Sequence, residues 1–123
     1  MSSRRTGPDS ELHGRRSQCA IAGVLDLVGD RWSLLIVRDL WLRGPLRFQD
    51  FACMVGQESV PTNTLAARLR LLEDADILTK AKYQDNPARF TYELTAKGVA
   101  LVPILESMAA WGVTFIPDTR GFV

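Results

Sequence analysis

The feature that most constrains this chain is a change of hydrophobic period part-way along it. Up to Leu72, apolar residues recur at three- and four-residue steps, the spacing that lines one face of a helix. Ile21, Val24, Leu25 and Val28 make the first such face, starting from Cys19. Gly29-Asp30 breaks it, and Asp30 is expected to cap a second helix carrying Trp32, Leu35, Ile36 and Leu40. Leu34, Val37 and Trp41 make that helix apolar almost all round, so it belongs in a core or at a subunit contact. Arg43-Gly44-Pro45 is expected to stop it. Leu46-Arg47-Phe48 reads as a short extended piece. Phe48, Phe51 and Ala52 read as one or two helical turns ending near Met54, and Val55 to Pro61 as a turn. Thr62 opens another helix, with Leu65, Leu69 and Leu72 on one side, ending around Asp74 to Asp76.

From Ile77 the period changes. Ile77 to Tyr83 and Arg89 to Leu94 are strand-like, and the turn cluster Gln84-Asp85-Asn86-Pro87-Ala88 makes them a hairpin. Thr95 is expected to cap a last helix with Val99, Val102, Leu105, Met108 and Ala109 on one stripe, running to Trp111-Gly112. Pro103 calls for a kink or a late start in it. Two short helices joined by a glycine-containing turn, then a hairpin, give a mainly α fold with a small β-hairpin: the order of a winged helix-turn-helix. The 123 residues suit one domain. Residues 1–17 are expected to be a disordered basic arm, 18–112 the winged helix-turn-helix, and 113–123 an extension. Val113, Phe115, Ile116, Phe122 and Val123 would let that extension join a dimer contact. In the arm, Arg4, Arg5, Arg15 and Arg16 outnumber Asp9 and Glu11 by two; it reads equally as a nucleic-acid-seeking arm or a solvated tail.

Composition excludes several classes. With 15 Lys and Arg against 14 Asp and Glu, the net charge is +1, too small for a polycation that coats nucleic acid by bulk charge. His13 is the only histidine, and Cys19 and Cys53 are the only cysteines, so zinc-ligand spacing and a histidine-based nucleophilic triad are both missing. No glycine-rich phosphate loop is present. The expectation is a chain with no catalytic residues, no metal and no cofactor. No apolar run reads as a membrane span and no secretory signal is seen, so a cytoplasmic protein without a membrane partner is expected.

Around the helix from Thr62, the side opposite the leucines carries Asn63, Ala67 and Arg70, flanked by Thr64 and Ala66. Small polar residues with a cation behind them suit a helix entering a major groove about 12 Å wide, though a plain surface helix has the same look. The hairpin adds Lys80, Lys82 and Arg89, charge that a ribbon along a phosphate backbone needs. Arg47 precedes the first of the two short helices. Arg68 lies between the leucine face and the open face, placed for phosphate or for Glu73 or Asp74. The candidate double-stranded DNA contacts are therefore Arg47, Thr62, Asn63, Thr64, Ala67, Arg68, Arg70, Lys80, Lys82 and Arg89. Such domains bind usefully as dimers on two half-sites. Trp41, Val102, Leu105, Met108, Trp111 and Phe115 offer apolar surface for a homodimer, or else complete the monomer core.

Several motifs in order resemble the HxlR-type transcriptional regulators, a family distantly similar to the MarR group. They are Cys19-Ala20-Ile21-Ala22; Gly29-Asp30-Arg31-Trp32-Ser33-Leu34-Leu35-Ile36; Gly44-Pro45-Leu46-Arg47-Phe48; Leu65-Ala66-Ala67-Arg68-Leu69-Arg70-Leu71-Leu72-Glu73; and Pro87 through Gly98. The resemblance covers about residues 19 to 112. It implies a dimeric winged-helix protein on inverted-repeat operators, with the first and last helices forming the dimer contact. It also implies roles near DNA for Arg68, Arg89 and Lys97, and a redox or electrophile sensor at Cys19. Many members have proline after that cysteine where this chain has Ala20, and a structural thiol is the alternative for Cys19. Cys53 is expected to be buried beside Phe51. Two other readings stand beside this one. One is a winged-helix module for protein–protein contact without DNA. The other is a ligand-binding or enzymatic domain whose pocket between dimer helices, near Trp32, Trp41 and Trp111, takes a small-molecule effector.

Overall fold

A computed structural model describes residues 18–121, so the expected arm at 1–17, His13, Phe122 and Val123 lie outside the described residues. The chain divides into two units, one ending at Asp30 and one beginning at Arg31. In the first, α1 spans Ala20–Val28 with Cys19 as its N-cap, and the Gly29 amide closes it onto the Leu25 carbonyl at 2.8 Å. Ile21, Val24, Leu25 and Leu27 are exposed along it.

The second unit opens with α2 (Ser33–Arg43). Its cap is Trp32 and not Asp30; no side chain caps it, and Arg31 lies over the Trp32 ring at 5.0 Å. Gly44 ends α2 with φ +85°, a conformation that side chains with a Cβ rarely adopt. Leu46 then exchanges both backbone bonds with Tyr92 (3.1 and 2.7 Å), so the expected extended piece is a one-residue bridge to the hairpin. Phe48–Ala52 is a 3₁₀ turn, shorter and tighter than an α-helix. The loop Met54–Val60 turns at Gln57 (φ +66°), not at Gly56, and leads to α3 (Thr62–Asp74), capped by Pro61.

The expected hairpin forms from β1 (Leu78–Asp85) and β2 (Ala88–Leu94), antiparallel from Leu78↔Leu94 to Asp85↔Ala88, with a bulge at Tyr83 and a cis Asn86–Pro87 bond at its tip. Thr95 caps α4 (Ala96–Val99), its hydroxyl accepting from the Gly98 amide at 3.1 Å. The chain breaks at Ala100-Leu101, and α5 (Val102–Phe115) begins with Pro103 in its first turn, the late start that proline favours. Gly112 does not end the helix, which runs three residues further.

Ile36, Val37 and Leu40 of α2, Phe51, Leu65, Leu69 and Leu72 of α3, Ile77, Leu78, Val102 and Leu105 are buried together with Met54. Val102 and Leu105, offered above as dimer material, are therefore core residues, because α5 packs this side on α2. Trp41, Met108, Trp111 and Phe115 stay exposed, and the Trp111 and Phe115 rings lie 5.0 Å apart. Taken as one stretch, Ala96–Phe115 has the length and a mean hydropathy of 1.5 that could cross a membrane, which the sequence reading missed. The break at Ala100-Leu101, Lys97 and Glu106 inside it, and the packing of Val102 and Leu105 identify it as two packed helices.

Candidate nucleic-acid interface

α3 is amphipathic, and packing on β1 and α2 takes its leucine side. Thr62, Asn63, Ala66, Ala67 and Arg70 are exposed, while Thr64 and Arg68 are half-buried at the margin. No side chain caps the first turn of α3. The first-turn N–H groups are thus left without a capping side chain, beside small side chains, an arrangement that favours an anion.

The far end of α3 closes differently. The Ile77 amide reaches the Leu72 carbonyl at 2.9 Å and the Asp76 amide reaches Glu73 at 3.0 Å, with Asp76 at φ +63°. This is a Schellman closure with an aspartate where glycine is usual. The Lys97 ammonium donates to the Ala75 carbonyl at 2.7 Å, at the negative end of the helix dipole. Lys97, which the resemblance puts near DNA, thus uses one of its three donors to hold α3. The Thr95 hydroxyl donates to the Asp76 carbonyl at 2.6 Å. A Cβ at Gly98 would run into the Ile77 carbonyl oxygen, so α4 sits against this closure as closely as backbone allows.

In the hairpin, Lys80 stands opposite Tyr92 and Lys82 opposite Phe90. The Lys80 ammonium lies 5.1 Å from the Phe90 ring and 5.9 Å from the Tyr92 ring, while Tyr92 makes an edge contact with buried Phe51 at 6.4 Å. Burial, and secondarily Glu73, pushes the Tyr92 phenol above its ordinary range. Lys82 is 3.5 Å from Asp85, and Arg89 is exposed near the tip. Phe48, Gln49, Lys80, Tyr83, Ala88, Arg89, Phe90 and Tyr92 line an open cleft of about 190 Å³ where the 3₁₀ turn meets the hairpin. Arg47 is committed locally. It donates to both oxygens of Asp50 (3.1 and 2.9 Å), and Asp50 accepts from the Arg47 amide at 2.8 Å. These bonds raise the Arg47 pKa and hold Asp50 below the ordinary carboxylate range. The structure thus brings together the α3 residues and, on the hairpin, Lys80, Lys82 and Arg89; Cys19 belongs to the other unit, exposed at the cap of α1. Cys53 is exposed too, contrary to expectation, because the 3₁₀ turn sends Phe51 inward and leaves Cys53 at its end.

One constellation was not anticipated. Asp39 of α2 is fully buried. Its Oδ1 accepts from Arg38 Nε at 3.0 Å, and its Oδ2 accepts from Arg43 Nη1 at 3.0 Å and from the Val55 amide at 3.1 Å. Arg43 also donates to the carbonyls of Cys53 and Asp50, and Arg38 to Glu58 Oε1 at 2.9 Å. Burial pulls the Arg38 pKa down, but Glu58 and Asp39 outweigh it and the net shift is upward; Arg38 in turn lowers that of Glu58. The one signal in the sequence was the four-residue step from Asp39 to Arg43 inside an apolar helix.

The described helix–turn–helix, hairpin and closing helices match a known pattern. The model of the HxlR-like helix-turn-helix family matches residues 27–120. The chain belongs to that family. It is 33% identical over 112 residues to the HTH-type transcriptional regulator Rv3095 of Mycobacterium tuberculosis, covering 91% of this chain and 68% of the relative. It is 35% identical over 92 residues to the HTH-type transcriptional regulator YodB of Bacillus subtilis, covering 72% of this chain and 77% of YodB. The solved structure of the redox regulator HypR in its reduced form superposes with a TM-score of 0.69 at 28% identity, covering 78% of this chain and 92% of HypR. The protein is accordingly a transcriptional regulator of the HxlR type with a winged-helix fold.

Proposed function

We propose that this regulator binds double-stranded DNA in the cytoplasm as a homodimer on an inverted-repeat operator and performs no chemistry on it. The observation that carries this reading is the exposed side of α3, where Thr62, Asn63, Ala67 and Arg70 stand clear of the buried leucines. Thr64 and Arg68 flank that side. Asn63 suits an adenine edge, Thr62 and Thr64 bases or phosphates, and Arg70 guanine or phosphate. Lys80, Lys82 and Arg89 supply the wing's phosphate contacts, and Arg47 adds a guanidinium once it leaves Asp50. The exposed apolar residues of α1 (Ile21, Leu25) and of α5 (Met108, Trp111, Phe115) support a second copy as the partner. Cys19, exposed at a helix cap, is the thiol through which oxidant or electrophile reaches the protein; a small-molecule effector is the other input. HypR and YodB have solved structures in reduced and in oxidised or diamide-treated forms, which supports a redox input.

The test is selection of bound duplexes from a random pool, with and without oxidant. A dyad-symmetric motif that is lost on oxidation, and retained in Cys19→Ser, is the expected result. Failure to enrich any motif would reject DNA reading, and leave a protein-contact module in its place.

A further inference from the structure

The Asp39 constellation does more than fill the interior of α2. Its bonds outside α2 run toward the segment that delivers the chain to α3: the carbonyls of Asp50 and Cys53, the amide of Val55 and the carboxylate of Glu58. Inside that segment the backbone makes only two close turns of its own, Gln57 to Met54 at 2.8 Å and Met54 to Glu58 at 3.4 Å. Met54 and Val60 are buried and anchor the segment at two points, but Cys53, Val55, Gly56 and Gln57 are exposed, so polar contacts hold the rest of it. Only Ser59, Val60 and Pro61 separate Glu58 from the first turn of α3. Exposure rises outward through the cluster, with side-chain values of 0% at Asp39, 14% at Arg38 and 24% at Glu58.

We infer that Asp39, Arg38 and Glu58 are positioning residues for DNA recognition: they touch no base or phosphate, and fix the loop that sets where α3 begins. The inference rests on the DNA reading above. Specific binding needs the Asn63 side in register with base edges, whereas binding through phosphates tolerates slippage. A loop without its tether must be ordered during binding, and that cost falls on the specific complex. Arg38 suits the task because a planar fork can serve two carboxylates at once, which a lysine ammonium does less well.

The test uses the full chain, a duplex selected from a random pool by the wild-type protein, and a scrambled duplex of equal length. Glu58→Ala removes the outer, partly exposed anchor and leaves Asp39 in place. Its affinity for the selected duplex is expected to fall about tenfold, the loss of one charge-assisted hydrogen bond at the weaker end of its range. Affinity for the scrambled duplex and the salt dependence are expected to stay as in wild type, and the thermal midpoint to fall only by the small increment that the Glu58 ion pair adds. Arg38→Lys is expected to shift the same ratio in the same direction. Equal loss on both duplexes, or no loss on either, would overturn the positioning role while the DNA reading stands. If the wild-type protein selects no sequence at all, the DNA reading falls and this inference with it.

Discussion

The two ends of α3 are held by different chemistry. Upstream, ionic side chains of α2 grip a mostly exposed loop that Met54 and Val60 anchor in the core, with a fully buried carboxylate at the centre of the grip. Downstream, the grip is made mostly of backbone: a Schellman closure, a threonine hydroxyl on a carbonyl, and a glycine pressed against Ile77. Charge-dependent bonds answer to pH and to loss of a partner; close backbone contact answers to added volume. The helix that presents Asn63 and Arg70 is thus open to perturbation by two independent routes.

Breaking the upstream grip should have the largest effect. Asp39→Ala takes the buried acceptor from Arg38, Arg43 and the Val55 amide, leaving Arg38 only Glu58 and Arg43 only two carbonyls, and is expected to cost about 3–5 kcal/mol in urea unfolding. A cost near zero would mean that the carboxylate is not needed for the fold. Downstream, Gly98→Ala adds a methyl where the Ile77 carbonyl stands and is expected to cost about 1–3 kcal/mol. Asp76→Gly should go the other way, raising stability by up to about 1 kcal/mol, since glycine occupies φ +63° without the side-chain penalty. The smallest effect is expected with pH. The Arg38 hydrogen bond lowers the pKa of Glu58 in the folded chain, so Glu58 adds stability above the unfolded value, and this is lost as pH falls through the lower, folded pKa. Acid unfolding of Glu58→Gln should lack that increment, while Gly98→Ala should retain it.

Period made most of the frame legible. Val28, Ile36, Leu40, Leu65, Leu69 and Leu72 recur at helical steps and are buried where that pattern puts them, and the hairpin followed from its turn cluster. Edges were less readable. Asp30 has a capping side chain, yet α2 starts at Ser33, and the 3₁₀ turn put Cys53 outside because a tighter helix rotates its side chains differently. On the candidate interface, the exposure of Thr62, Asn63, Ala67 and Arg70 could be read by angle alone. The engagement of Arg47 with Asp50 and of Lys97 with Ala75 could not, since a cation looks alike in sequence whether it meets solvent or a carbonyl. Asp39 was hidden for a related reason: Val55 and Glu58, which give it meaning, lie 16 and 19 residues away.

The single bridge between Leu46 and Tyr92 has a consequence for solubility. A two-stranded ribbon has raw margins, and Leu46 covers just one position of one of them. The rest would invite a neighbouring chain to add itself as another strand. The irregularity at Tyr83, the proline at the tip and the charge of Arg89 each spoil that template and so oppose the addition of another strand.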